Sequence, residues 1–190
     1  MARPPEFDRA EALVKAQHLF WERGYERTTV RDLTEAMGIS APSLYNAFGG
    51  KKELYDEAVA AYVSAPTRVV PPALAERSAR AVFARILEIA VREYSRDDQP
   101  RGCLVISDPV LEFERDAGRV AIRQRLERAH ADGDVPEDAD VQALTDYVDI
   151  VLRGLSSLAR DGADPAALRS AANVALQAWP ARPRRRSARS

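Results

Sequence analysis

Cysteine, histidine and long apolar runs are scarce in this chain of 190 residues. The single cysteine, Cys103, excludes an internal disulfide framework and any metal site built only from cysteines. The two histidines, His18 and His130, leave little material for a zinc site, so we expect neither a metal nor a cofactor. The chain contains no run of about 18 apolar residues, so we expect no membrane span. The first residues also lack the apolar core of a signal peptide, and we expect a soluble cytoplasmic protein.

Enzymes are disfavoured by a further absence. No Ser/His/Asp, Cys/His, phosphate-loop or paired-carboxylate arrangement has a supporting context in the chain. The chain also has no large excess of positive or negative charge, because its 28 Lys and Arg nearly balance its 29 Asp and Glu, for a net charge of −1. Taken alone, this balance argues against a nucleic-acid binder.

The charge is unevenly distributed, however. Residues 1–62 hold eight Lys and Arg against ten Asp and Glu, whereas residues 181–190 hold five Arg and no acid. The Arg-rich end from residue 180 onward could add non-specific affinity for DNA, or it could be a disordered, solubilising end. Both interpretations stay open.

Helical periodicity dominates the rest of the sequence and predicts an all-α fold of about nine helices. In the N-terminal part we expect helices over residues 8–23, from Thr29 to Gly38, over residues 40–48 and from Lys51 to about residue 64. Further along we expect helices over residues 75–94, 103–131 (with a possible break near Gly118), 138–160 and 165–179. The second and third helices are separated by only Gly38-Ile39-Ser40, which is typical of a helix-turn-helix.

Residues 10–62 resemble the N-terminal domain of the TetR family of bacterial transcriptional regulators. The resemblance rests on Leu19-Phe-Trp-Glu-Arg-Gly-Tyr-Glu-Arg-Thr-Thr-Val-Arg-Asp-Leu33, Ala36-Met-Gly-Ile-Ser40, Ser43-Leu-Tyr-Asn-Ala-Phe48 and Lys51-Lys-Glu-Leu54. It implies a helix-turn-helix DNA-binding domain over 1–62, a ligand-binding and dimerisation domain over 63–179 and a disordered tail over 180–190. It also implies a dimeric regulator, most often a repressor, that binds a palindromic DNA operator and responds to a small-molecule effector not identified by the sequence.

The surface that would read DNA lies at three helix starts, where free amides and the helix dipole favour phosphate. Asn46 can pair with adenine or bind phosphate. Ala47 departs from the family pattern, which often has a polar residue at that position. The predicted DNA-binding residues are Thr28, Thr29, Arg31, Ser40, Ala41, Pro42, Ser43, Tyr45, Asn46, Lys51 and Lys52.

For the C-terminal domain the family resemblance implies a ligand pocket within residues 71–135 and a dimer interface from the last two helices. Candidate ligand or sensing residues are Cys103, Phe83, Ile106 and Phe113, although the apolar ones could equally be core. Apolar stripes suit a dimer interface, with an intramolecular core as the alternative, and they comprise Val148, Leu152, Leu155, Leu158, Leu168, Ala172 and Leu176. Gly154 would allow helices to approach closely.

Two further alternatives concern function. Pro100-Arg-Gly-Cys-Leu-Val105 resembles a branch of the family in which a cysteine opens the sixth helix. There, Cys103 would be either a redox or electrophile sensor with a lowered thiol pKa, or a small buried hydrophobic residue. Finally, Ala47 and the net charge of residues 1–62 would suit a helical adaptor that retains an unused helix-turn-helix.

Overall fold

The computed structural model describes residues 7–65 and 69–180, and the predicted Arg-rich tail lies outside them except for residue 180. Within these ranges the chain is all-helical, with no β-strand, as predicted. The helices are α1 (Arg9–Arg23), α2 (Val30–Met37), α3 (Ala41–Phe48), α4 (Lys51–Ser64), α5 (Val70–Ala73), α6 (Ala79–Tyr94), α7 (Leu104–Ser107), α8 (Glu112–Ala131), α9 (Val141–Arg160) and α10 (Pro165–Gln177).

The predicted starts of the first three helices are confirmed by side-chain caps. Asp8 accepts hydrogen bonds from two amides at the start of α1. Thr29 and Asp32 form a reciprocal capping box on α2, and the hydroxyl of Ser40 accepts from the amide of Ser43 on α3. These caps fix the turn between α2 and α3, while Leu33 and Leu44 anchor the two helices in the core.

Two helices in the second half begin or break elsewhere than predicted. The helix expected over 75–94 begins only at Ala79, where Ser78 caps α6, and the short α5 precedes it as a separate helix. The helix expected over 103–131 breaks after Ser107, and Gly118 lies inside α8. The break has a local cause, because Pro109 disfavours helical backbone at Asp108, whose φ and ψ are −95° and 116°.

The second half of the chain is built around α6. This helix buries Phe83, Ile86 and Tyr94, and it packs against α8, α9 and α10. Trp179 closes the far end, with its ring 4.8 Å from that of Phe83. None of the helices in the described ranges has the length and apolar character needed to cross a membrane.

Candidate functional site

Helix α3 presents an exposed polar face and a buried apolar one. Leu44 and Phe48 are buried in the core, as their spacing predicted. On the opposite face Tyr45 is 53% exposed and Asn46 is also exposed, and Ala41 and Pro42 lie at the exposed start of the helix. The hydroxyl oxygens of Ser40 and Ser43 are 2.9 Å apart at this end. The side chains predicted to read DNA on α3 therefore form one continuous surface.

Helix α2 packs against α3, and two of the three residues predicted to contact DNA near its start are exposed. Thr29 and Arg31 are exposed. Thr28 is fully buried, and its hydroxyl donates a 2.8 Å hydrogen bond to the carbonyl oxygen of Gly24. The prediction that Thr28 contacts DNA is therefore corrected: its side chain is buried because it joins α2 to the end of α1.

The two lysines at the start of α4 have different surroundings. Lys52 is exposed, and its ammonium nitrogen lies 2.6 Å from a carboxylate oxygen of Asp56. This hydrogen bond raises the pKa of Lys52. The ammonium of Lys51 instead lies 4.1 Å from the centroid of the Tyr25 ring. Because Gly50 provides no side-chain cap, the first amides of α4 stay available to an anion beside Lys51.

Arg9 contributes to this surface in a way that its sequence position did not indicate. Its guanidinium donates to the carbonyl of Ala47 and to the carboxylate of Glu57. It also lies over the Phe48 ring, 4.4 Å from the centroid. Arg9 thus ties the C-terminal end of α3 to α1 and α4. No local pattern could reveal contacts that span 38 and 48 residues.

A cavity of about 350 Å³ lies between helices α1 and α4 and the second half of the chain. It extends beyond residues 71–135, the region in which a pocket was predicted, because α1, α4 and α9 also form its walls. Two of the candidate ligand residues, Cys103 and Ile106, line it together with Tyr62, Glu93 and Tyr94.

The other two candidate ligand residues lie away from this cavity. Phe83 is buried in the core against Trp179, so it belongs to the intramolecular packing that the sequence left open. Phe113 is 80% exposed in the first turn of α8. Neither side chain lines the cavity in the described part of the chain.

Cys103 is the N-cap residue of α7, rather than a first-turn residue as predicted. Its sulfur lies 3.4 Å from the hydroxyl oxygen of Tyr62, which donates to it, and its amide donates to the hydroxyl of Ser156. Burial, and to a lesser degree the neighbouring Cys103 sulfur, raise the pKa of Tyr94. The thiol therefore lies in the cavity wall between two phenol side chains.

The last two helices bury most of the predicted dimer residues within the protomer. Buried residues are Val148, Leu152, Leu155, Leu168 and Ala172, and Leu176 is partly buried. The structure thereby assigns them to the intramolecular core that the sequence left open. On the outer face of α9, Leu158 is 47% exposed, Ile150 is 66% exposed, and Gly154 lies between them with open space around it. Val174 of α10 is 65% exposed.

Comparisons with known proteins agree with this arrangement. The family model for bacterial regulatory proteins of the tetR family matches residues 12–58. The HTH-type transcriptional repressor ComR of Escherichia coli (strain K12) is 31% identical over 94% of this chain and 91% of its own length. The HTH-type transcriptional repressor BdcR of the same strain is also 31% identical, over 84% of this chain and 83% of its own length.

The solved structures include a protein with a similar fold and related sequence. A cysteine mutant of the TetR family transcriptional regulator CifR, complexed with 26bp double-strand operator DNA, has a TM-score of 0.85. It is 38% identical, over 94% of this chain and 100% of that chain.

Proposed function

Because the chain belongs to the TetR family of bacterial regulatory proteins, we propose that it is a transcriptional repressor that binds operator DNA as a dimer. The observation that carries this proposal is the exposed face of α3, where Ser40, Tyr45 and Asn46 project from a capped helix whose other side is buried. The operator-bound structure of the similar regulator CifR supports it. We propose no catalytic role, and we expect the protein in the cytoplasm, where bacterial operators are found.

In the proposed complex the N-terminal end of α3 enters the major groove, and the starts of α2 and α4 contact the phosphates on either side. Lys51 is the preferred phosphate contact, since Lys52 already has a carboxylate partner in Asp56. Thr29 and Arg31 supply the contacts from α2. Arg9 holds α3 in place because its guanidinium donates to the carbonyl of Ala47. The end of α3 is therefore supported, although the side chain of Ala47 is not polar.

Tight operator binding requires a dimer. One α3 helix contacts few base pairs, and two copies on a palindrome supply the affinity and fix the half-site spacing. We place the interface on the exposed stripe of Ile150, Gly154 and Leu158 in α9, with Val174 of α10 beside it. Gly154 would let the partner helix approach closely there.

Release from the operator would follow from a ligand in the cavity beside α7. Such a ligand shifts the population toward dimers that do not fit the operator, by no more than its differential affinity for the two states. The cavity suits this role because it is formed jointly by α1 and α4 of the DNA-binding half and by α6 to α9.

Footprinting on the DNA that flanks the gene tests the proposed function. We expect a protected palindrome whose half-sites lie about one helical turn, or a multiple of it, apart. Protection should weaken steeply as salt rises, because each phosphate contact releases counterions. If no palindrome is protected at low salt, the chain is better described as a helical adaptor with an unused helix-turn-helix.

Cys103 supports a second, more specific signal, an electrophile or oxidant that reacts with its thiol. The specific observation is the position of the sulfur in the cavity wall, where the Tyr62 hydroxyl donates to it. Replacing Cys103 with Ser keeps a small side chain and removes the thiol. We expect a mild electrophile such as N-ethylmaleimide to release the wild-type protein from its operator and to leave the Cys103→Ser complex intact.

The measurement is fluorescence anisotropy of labelled operator DNA, with mass spectrometry to count the adducts. Cys103 is the only thiol in the chain, so one adduct per protomer reports its modification directly. Equal release of wild type and variant would assign Cys103 to the packing of the cavity wall.

A further inference from the structure

Asp108 connects the two halves of the protein although it carries a buried negative charge. It is 2% exposed and lies in the break between α7 and α8. Its Oδ2 accepts from the hydroxyl of Tyr55 at 2.9 Å and from the amide of Tyr25 at 3.0 Å. Its Oδ1 accepts from the amide of Val110 at 3.1 Å. Both tyrosines belong to the DNA-binding half of the chain.

These three hydrogen bonds are what holds the carboxylate in the interior. Among the described residues no cation forms an ion pair with it, so the donors must compensate for the lost hydration. Arg115 contacts the same segment only through backbone carbonyls, those of Val105, Asp108 and Pro109. Breaking the contact with the tyrosines would therefore leave a buried charge with one donor from its own loop.

The surroundings of the two tyrosines extend this contact to the proposed DNA interface. The rings of Tyr25 and Tyr55 lie 4.7 Å apart, and the ammonium of Lys51 lies over the Tyr25 ring. Gly24, which precedes Tyr25, has a φ of 78°, a left-handed backbone conformation that favours glycine. On the other side, the four-residue helix α7 follows its N-cap residue Cys103 and includes the cavity residue Ile106.

We propose that Asp108 is the positioning residue that sets the orientation of the DNA-binding helices relative to the dimerisation half. Through that orientation it determines the spacing of the two α3 helices in the dimer. The inference rests on the proposed function, because spacing matters only if two α3 helices bind one operator. The same contact connects the cavity with the DNA-binding half, since a displacement of α7 moves Asp108, which accepts hydrogen bonds from Tyr25 and Tyr55.

The test compares one full operator with a duplex that carries a single half-site, both taken from the footprinted palindrome. D108N replaces one carboxylate oxygen with an NH2 group. In either orientation of the side chain this donor group faces an N–H or O–H donor, so an existing hydrogen bond is lost. Y55F removes the hydroxyl donor and keeps the ring. The controls are D116N, which changes an exposed acid on α8, and Y147F, which removes a hydroxyl bonded to the carbonyl of Ala175.

We expect D108N and Y55F to weaken binding to the full operator by about 10-fold or more, as the loss of a hydrogen bond to a buried charge implies. Binding to the half-site should change by less than about twofold, because one α3 helix needs no partner at a fixed spacing. The double variant should be no weaker than the weaker single variant, since the two residues form one contact. Thermal unfolding and circular dichroism establish that each variant is folded.

The outcomes separate the inference from the proposed function. If the wild type binds neither duplex, the proposed function fails. If the wild type binds and both variants behave like D116N and Y147F, the positioning role is overturned while the function stands. Equal losses on the two duplexes also overturn it, because they indicate damage to the reading helices themselves. If D108N does not fold, the ratio of full-operator to half-site affinity in Y55F decides.

Discussion

Replacing Asn46 with Ala should weaken binding to the operator by roughly 30-fold to 20,000-fold. Asn46 is exposed on α3, where its amide can form two hydrogen bonds with an adenine. A good bidentate contact of this kind is worth about 1–3 kcal/mol, and a symmetric dimer would lose it twice. Each 1.4 kcal/mol corresponds to about a factor of ten in affinity. Anisotropy titrations of labelled operator DNA measure the change directly.

The matched control is Gln124→Ala, which removes an exposed amide from α8, away from the proposed interface. It should leave operator affinity within about twofold. Non-specific DNA separates the two roles open to Asn46. A base contact predicts that Asn46→Ala leaves non-specific binding almost unchanged, so that specificity falls with affinity. An equal loss on operator and non-specific DNA would instead assign Asn46 to the phosphate backbone and contradict the base contact.

The start and exposed face of α3 could be predicted from the sequence because their causes are local. Ser40 caps the helix through a residue three positions away, and the four-residue spacing of Leu44 and Phe48 determines the side that faces the core. The same holds for the capping box of Thr29 and Asp32. Such signals lie within one or two turns of chain, so a single sequence contains all of their information.

Contacts between residues that lie far apart in the chain could not be predicted from the sequence. Nothing near Arg9 indicates the carbonyl of Ala47, and nothing near Asp108 indicates Tyr55, although Pro109 could have revealed the break before α8. Thr28 was misjudged for a similar reason. Its type suits a helix start, but its burial depends on the packing of α2 against α1.

The faces of α9 were difficult for a different reason. This helix has apolar residues on both an inner and an outer side, and periodicity alone cannot tell a protomer core from a surface between protomers. Val148, Leu152 and Leu155 pack inside, whereas Ile150 and Leu158 remain exposed. Only the tertiary structure identifies the second pair as the apolar surface available to a partner.

Replacing both Ile150 and Leu158 with Asp should convert the protein into monomers and abolish tight operator binding. The two positions flank Gly154 on the exposed side of α9, so the charges are tolerated by the isolated protomer. A symmetric interface would bury four carboxylates, and an unpaired buried charge costs about 3–5 kcal/mol. Sedimentation velocity should show the mass of one chain, 21.0 kDa, and the full operator should bind no more tightly than a half-site.

Val120→Asp is the control for this experiment, because it adds the same charge at a valine of α8 that is 43% exposed. We expect this variant to remain dimeric and to bind the operator with nearly wild-type affinity. A double variant at Ile150 and Leu158 that stays dimeric would place the interface elsewhere. A monomer that still binds the full operator tightly would contradict the requirement for two α3 helices. The combined result therefore distinguishes the location of the interface from the need for a dimer, which sequence periodicity could not do.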